Sequence, residues 1–128
     1  MKKIYILSDA HLGSWAIEHR RTHERRLVSF LDKVKKDAMA VYLLGDIFDF
    51  WYEFKNVVPK GFTRFLGKVS ELTDSGVEVH FFTGNHDLWW ETMKKMNAFL
   101  DENGFDSLHI LHNNHYETET LALCGSRG

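Results

Sequence analysis

The chain has a single cysteine, Cys124. An internal disulfide is therefore excluded, and a reducing compartment fits. Proline is equally scarce: Pro59 stands alone and bars a regular helix until after it. A surplus of one charge is also missing. Lys plus Arg number 16 against 18 Asp plus Glu, for a net charge of −2. Nothing in that balance draws the protein to nucleic acid or to an anionic membrane, so no nucleic-acid partner is favoured and a nuclease reading is disfavoured. No apolar run approaches the length of a membrane-spanning helix. The apolar residues after Lys2 and Lys3 stop at Asp9, so no secretory leader is expected and the reading is cytoplasmic. Repeats, linkers and low-complexity segments are lacking too, which points to one domain over residues 1–128.

What is present is enough for a packed core: 44% of the residues are hydrophobic and 14% are aromatic. There are also eight histidines, a high number that calls for a reason. The organising stretch is Ala40 to Trp51, AVYLLGDIFDFW. Val41 to Leu44 reads as a strand buried on both faces, as central parallel strands are. Gly45 ends it, and Asp46 and Asp49 follow. Carboxylates at the carboxyl end of a buried strand sit where open α/β sheets place ligands. They need a partner or a metal to offset desolvation.

Two more strands end in the same way. Ile4 to Leu7 reads as a buried strand running into Asp9-Ala10-His11. Val77 to Thr83 runs into Gly84-Asn85-His86-Asp87. Between the strands, apolar spacing predicts helices over about Thr22 to Lys36, over Phe62 to Leu72, and around Met93 to Leu100. Leu108 to Leu111 reads as a fourth strand, Asn113-Asn114 as a turn into His115 to Glu117, and Leu121 to Cys124 as a last strand. Alternating strands and helices predict an α/β fold with a mostly parallel central sheet, flanking helices and right-handed crossovers.

Parallel strands bring the three polar clusters to one edge. Each cluster alone is weak evidence: D-x-H is common by chance, and a turn aspartate often only caps the next element. Together, oxygen and imidazole donors suit divalent Mn²⁺, Fe²⁺ or Zn²⁺. A shared carboxylate can bridge two such ions in phosphate-ester hydrolysis.

The motifs Asp9-Ala10-His11, Gly45-Asp46-Ile47-Phe48-Asp49 and Gly84-Asn85-His86-Asp87 resemble those of the calcineurin-like metallophosphoesterases. Over about residues 1 to 90 the wider text, SDAHLGSW and LLGDIFDFWYEF, resembles the branch that cleaves the pyrophosphate of UDP-2,3-diacylglucosamine in lipid A synthesis. From Trp90 onward the chain is more similar to general phosphoesterases of the same family, with a seam near residues 88–91. The resemblance implies the first half of an αββα sandwich. It implies that Asp9 and His11 bind a first metal, that Asp46 bridges two, and that Asn85 binds the second. His86 would face the phosphate, Asp87 would orient His86, and Asp49 would support a ligand from behind. Water activated by the metals would attack phosphorus in line. The favoured metal is Mn²⁺ and the favoured substrate a phosphate ester or nucleotide-linked lipid, with peripheral contact to the inner membrane as an option.

The family's downstream G-H and G-H-x-H motifs do not occur in this chain. The domain is therefore expected to be partial, with at most one well-held ion and a non-catalytic half-domain as the alternative to a hydrolase. Its exposed sheet face is expected to drive homo-oligomer formation. His109, His112 and His115 could replace missing ligands, but strand alternation and the Asn113-Asn114 turn separate them, and solvated histidines are the expectation. Phe48, Phe50, Trp51, Tyr52 and Phe54 read equally as core or as a lipid-facing cap. Arg20, Arg21, Arg25 and Arg26 read as a solvated helix face rather than a diphosphate grip. Cys124 reads as a small buried hydrophobe, and Trp89 and Trp90 as packing over the site or in the core.

Overall fold

The structure is a computed structural model, and it describes residues 2–50, 60–84 and 92–125. In chain order the elements are β1 (Lys3–Leu7), α1 (Arg20–Val34), β2 (Ala38–Leu44), α2 (Thr63–Asp74), β3 (Glu78–Phe82), α3 (Met93–Glu102), β4 (Leu108–Leu111), β5 (Asn114–Glu117) and β6 (Ala122–Gly125). Strands β1 to β4 form one sheet in sequential order, and every neighbouring pair is parallel. Strands β5 and β6 form a separate antiparallel hairpin.

Sequential order has a consequence. Crossovers of one hand between successive neighbours keep their helices on the same side of the sheet. The side chains agree. Val41, Leu43, Val79 and Phe81 pack with Leu31 and Val34 of α1 and with Phe65 and Leu72 of α2. Ile110, paired in register with Phe81, packs with Met96 and Leu100 of α3. The alternate positions Ile4, Ile6, Tyr42, His80 and His109 take the opposite face.

The two faces are unequally covered. Tyr116 of the hairpin lies against His80 and His109, with ring centroids 4.6 and 4.9 Å away. Tyr42 and His80 are buried there. Ile4 and Ile6 on β1 are instead 41% and 63% exposed. The expectation of a buried first strand is thus corrected: β1 is the edge strand, paired on one side alone and uncovered on its far face. Its apolar run is the signature of helix-side packing by Tyr5 and Leu7 only.

Helix α1 starts two residues earlier than expected, at Arg20, and its four arginines Arg20, Arg21, Arg25 and Arg26 are exposed. Phe48 resolves as core, in edge contact with Phe62 and Phe65, whereas Phe50 is 69% exposed. Trp51, Tyr52, Phe54, Trp89 and Trp90 lie outside the described residues. Cys124 is exposed rather than buried, because β6 is one strand of a two-stranded hairpin and alternation turns the thiol outward.

Candidate metal centre

Strand β1 ends at Leu7 and strand β2 at Leu44, and both chains then turn sharply along the same edge. Asp9, His11 and Asp46 all hold positive φ, at 49°, 42° and 50°. Such angles cost a non-glycine residue on the order of 1–3 kcal/mol each. Surrounding contacts must impose them. The backbone N–H of His11 donates to the Asp46 carbonyl at 2.8 Å, that of Leu12 to Ile47 at 2.8 Å, and that of Asp49 to Leu12 at 3.0 Å. The two loops are therefore zipped together beyond the ends of their strands. From α1, the His23 ring donates through Nε2 to the Ala10 carbonyl at 2.6 Å and ties the first loop down.

Two glycines set the fit from the other side. A Cβ on Gly84 would stand 2.3 Å from Asp46 Oδ1, and one on Gly45 would stand 2.5 Å from the Gly84 nitrogen. Real Cβ contacts do not come so close, so the carboxylate of Asp46 lies directly on the backbone that follows β3. Gly45 also takes φ 83°, which glycine alone adopts at little cost.

The result is a convergent donor set. One ligand atom each from Asp9, His11 and Asp46 lies within 4.8 Å of the others. Asp46 is 7% exposed, His11 is partly buried, and Asp9 opens to solvent. His11 Nδ1 is 3.1 Å from Asp49 Oδ1. A carboxylate only accepts, so that nitrogen carries the proton and Nε2 is the basic one. Two carboxylates and one imidazole suit a borderline or hard divalent ion. Asn85, His86 and Asp87 lie outside the described residues.

The other histidines take different places. His112 Nδ1 meets the Thr83 hydroxyl at 2.6 Å. His115 is exposed. His109 departs from the solvated expectation: it stacks on His80 at 4.8 Å, because the β3–β4 register sets the two side by side. None of the three joins the strand-end cluster.

Sequence reading passed over His23 and Glu24. Glu24 is 3% exposed within α1 and accepts the backbone N–H of Phe65 at 3.2 Å in the first turn of α2. Arg64 stands 3.7 Å from its other oxygen. A signal existed: Phe62, the N-cap of α2, has no side-chain acceptor, so the free N–H groups of that turn needed one from elsewhere.

Comparison with known families decides what such an edge belongs to. The family model for calcineurin-like phosphoesterases matches residues 2–125. The chain belongs to that family. Among curated relatives, the UDP-2,3-diacylglucosamine hydrolase of Porphyromonas gingivalis is 59% identical over 87 residues, which are 68% of this chain and 33% of that protein. The hydrolase of the same name from Neisseria gonorrhoeae is 36% identical over 87 residues, 68% of this chain and 35% of its own length. That of Nitrosococcus oceani is 32% identical over 83 residues, 65% and 31% of the two chains. The chain thus spans about a third of the length of these curated relatives. Divalent metal binding comes with the family, and Asp9, His11 and Asp46 are its candidate ligands here.

Proposed function

We propose that this chain carries part of the metal site of a phosphoester or pyrophosphate hydrolase, with a UDP-linked diacylglucosamine as substrate. The observation that carries the proposal is the convergence of Asp9, His11 and Asp46 at one sheet edge, on backbone held at positive φ. The substrate class rests on the printed names of the relatives. In this reading Asp9 and His11 hold one ion and Asp46 reaches toward a second. Asp49 fixes the His11 tautomer, Asn85 adds a neutral oxygen donor, His86 donates a proton to the leaving oxygen, and Asp87 orients His86. A divalent ion in such a site lowers the pKa of water and offsets charge on the phosphoryl oxygens. Mn²⁺ is favoured, with Fe²⁺ and Zn²⁺ as alternatives.

Two exposed aromatics support contact with a lipid surface. Trp15 is 84% exposed and Phe50 69%, and they follow Asp9–His11 and Asp46–Asp49 in the same two loops. At an interface a Trp ring buries apolar area while keeping its N–H in water, and a Phe ring adds apolar area alone. Exposed Ile4 and Ile6 support association of copies through the far sheet face, which light scattering tests: a monomer at high micromolar concentration removes that part of the reading.

The test of activity is Mn²⁺-dependent hydrolysis of UDP-2,3-diacylglucosamine, an aryl phosphate and a DNA strand, each with the parent chain and Asp46→Ala. The expected result is cleavage of the nucleotide-linked lipid, reduced at least about a hundredfold in the variant, which is nearly 3 kcal/mol of barrier. Mn²⁺ binding without turnover on any substrate supports a metal-holding module instead. Cleavage of DNA alone supports a nuclease.

A further inference from the structure

We propose a second divalent-cation site, of zinc type, on the sheet face opposite the helices, made by Glu78, His80 and His109. One ligand atom from each lies within 4.8 Å of the others, away from the strand-end loops that hold Asp9, His11 and Asp46. The architecture is simple. Glu78 and His80 are two residues apart on β3, so alternation sends both to one face. His109 is the register partner of His80 on β4. Two imidazoles and a carboxylate are a donor set that zinc takes in sites with an open fourth position.

The spacing suits an ion. Ligands held at about 2.0–2.2 Å around a tetrahedral ion stand about 3.4 Å apart. His80 Nε2 and Glu78 Oε2 stand 3.1 Å apart. The Glu78 side chain is 43% exposed and so is able to adjust, whereas His80 is fully buried.

An independent observation sits on the same residue. His80 is 0% exposed, and its Nδ1 has no hydrogen-bond partner among the described residues. A buried imidazole nitrogen left unpaired costs about 1–3 kcal/mol. With an ion on Nε2 the ring's proton would move to Nδ1, which would then be a buried donor in place of a buried acceptor. Burial also holds His80 below the usual histidine range, against the opposing pull of Glu78, so the ring is neutral and has a lone pair to give. Tyr116 closes the site from above, and its hydroxyl is held up by burial first and then by the nearby Glu78 charge. Tyr42 stacks beneath His80 at 4.3 Å. An ion here would tie β3 to β4 beneath the ring of Tyr116.

The test uses Co²⁺ alone as probe, read by its visible absorption, in the full chain carrying Asp9→Ala and Asp46→Ala so that the strand-end site is removed. The expected result is one equivalent of Co²⁺ with the intense bands of a tetrahedral N/O site, displaced by Zn²⁺. Glu78→Gln and His109→Asn, added singly, should each weaken binding at least about tenfold. Absence of the bands in a double variant whose circular dichroism matches the parent overturns the proposal, as does undiminished affinity in Glu78→Gln. Should the double variant not fold, Glu78→Gln in the parent chain decides, because it is isosteric and half-exposed. Loss of one bound Co²⁺ supports the site, and unchanged uptake overturns it.

Discussion

Two clusters of carboxylates and imidazoles share this small sheet, and they are built by opposite means. Asp9, His11 and Asp46 stand on loops past the strand ends, at positive φ, with a solvent opening at Asp9. Glu78, His80 and His109 stand within regular strands, and the middle member is fully buried. The first cluster depends on strained backbone pressed into place by neighbours. The second depends only on strand alternation and register. Strain of that kind persists only where the surroundings over-determine it, and it gathers at sites of chemistry. The contrast therefore fits the proposed metal chemistry at the edge, where the strain is, and leaves the sheet face as ordinary strand packing.

The largest expected effect breaks the edge cluster and leaves the sheet face alone. In Gly84→Ala the new Cβ would meet Asp46 Oδ1 at 2.3 Å and the Asp46 nitrogen at 2.8 Å. The Asp46 backbone is held, because the backbone N–H of His11 donates to its carbonyl, so the Asp46 nitrogen cannot retreat and the carboxylate must swing out of the cluster. The expected cost is about 3 kcal/mol in urea unfolding, together with loss of Mn²⁺ binding. Gly67→Ala is the control. Gly67 lies inside α2 with nothing within 4 Å, so the same change there should stabilise by about 0.5–1 kcal/mol. Equal effects at the two glycines would show that close packing does not shape the Asp46 loop.

A smaller effect sharpens the comparison by touching one ligand's support. Asp49→Ala removes the acceptor of His11 Nδ1, and Asp49 itself is partly exposed. Mn²⁺ affinity should fall by about 10–100-fold with little change in unfolding. Asp49→Asn, which keeps an oxygen for the Nδ1 proton, should recover much of the loss. An unchanged affinity in Asp49→Ala, measured calorimetrically, would remove Asp49 from the site.

The edge cluster was readable from sequence because each of its two halves is a short motif directly after an apolar run. D-x-H and G-D-x-x-D are short strings after apolar runs, and the apolar runs announced the strand ends. The element order and type were readable for the same reason, from Leu31 and Val34 on α1 to Phe65 and Leu72 on α2. What escaped depends on pairs distant in the chain. His80 and His109 meet only because β3 and β4 are parallel neighbours in one register, and a shift of one residue would point them to opposite faces. Glu24 caps α2 from α1, a relation no local pattern carries. Ile4 and Ile6 look like any buried strand, and only the strand order makes β1 an edge. Asn85, His86 and Asp87 lie outside the described residues, so their part rests on the resemblance and the proposal built on it.

The smallest expected effect concerns the sheet face without metal. Burial lowers the pKa of His80 from the ordinary 6.5, with the Glu78 hydrogen bond opposing and His109 adding to the fall. The charged or titratable groups facing the ring are Glu78 on its own strand, His109 on β4, Tyr116 on β5 and Tyr42 on β2. In the unfolded chain His80 takes a proton near its ordinary value, while in the folded chain it resists until lower pH. Between those two points the unfolded state binds more protons, so stability rises with pH. The His80 contribution is therefore fully present above about pH 7.5, well over the unfolded pKa, and is lost as pH falls through 6.5 toward the lower folded value. In chelator-treated protein, His80→Phe keeps an aromatic ring between Tyr42 and His109 and removes the titration. The expected outcome is a melting temperature that falls less steeply than the parent's between about pH 7.5 and pH 5. A variant curve parallel to the parent's would mean that His80 titrates alike in both states, and that the face is wetter than its burial implies. The edge cluster is the same in both proteins, so it cancels from the difference between the two curves. A slope difference that follows His80 would thus establish by thermodynamics that this face is dry, independently of any bound ion.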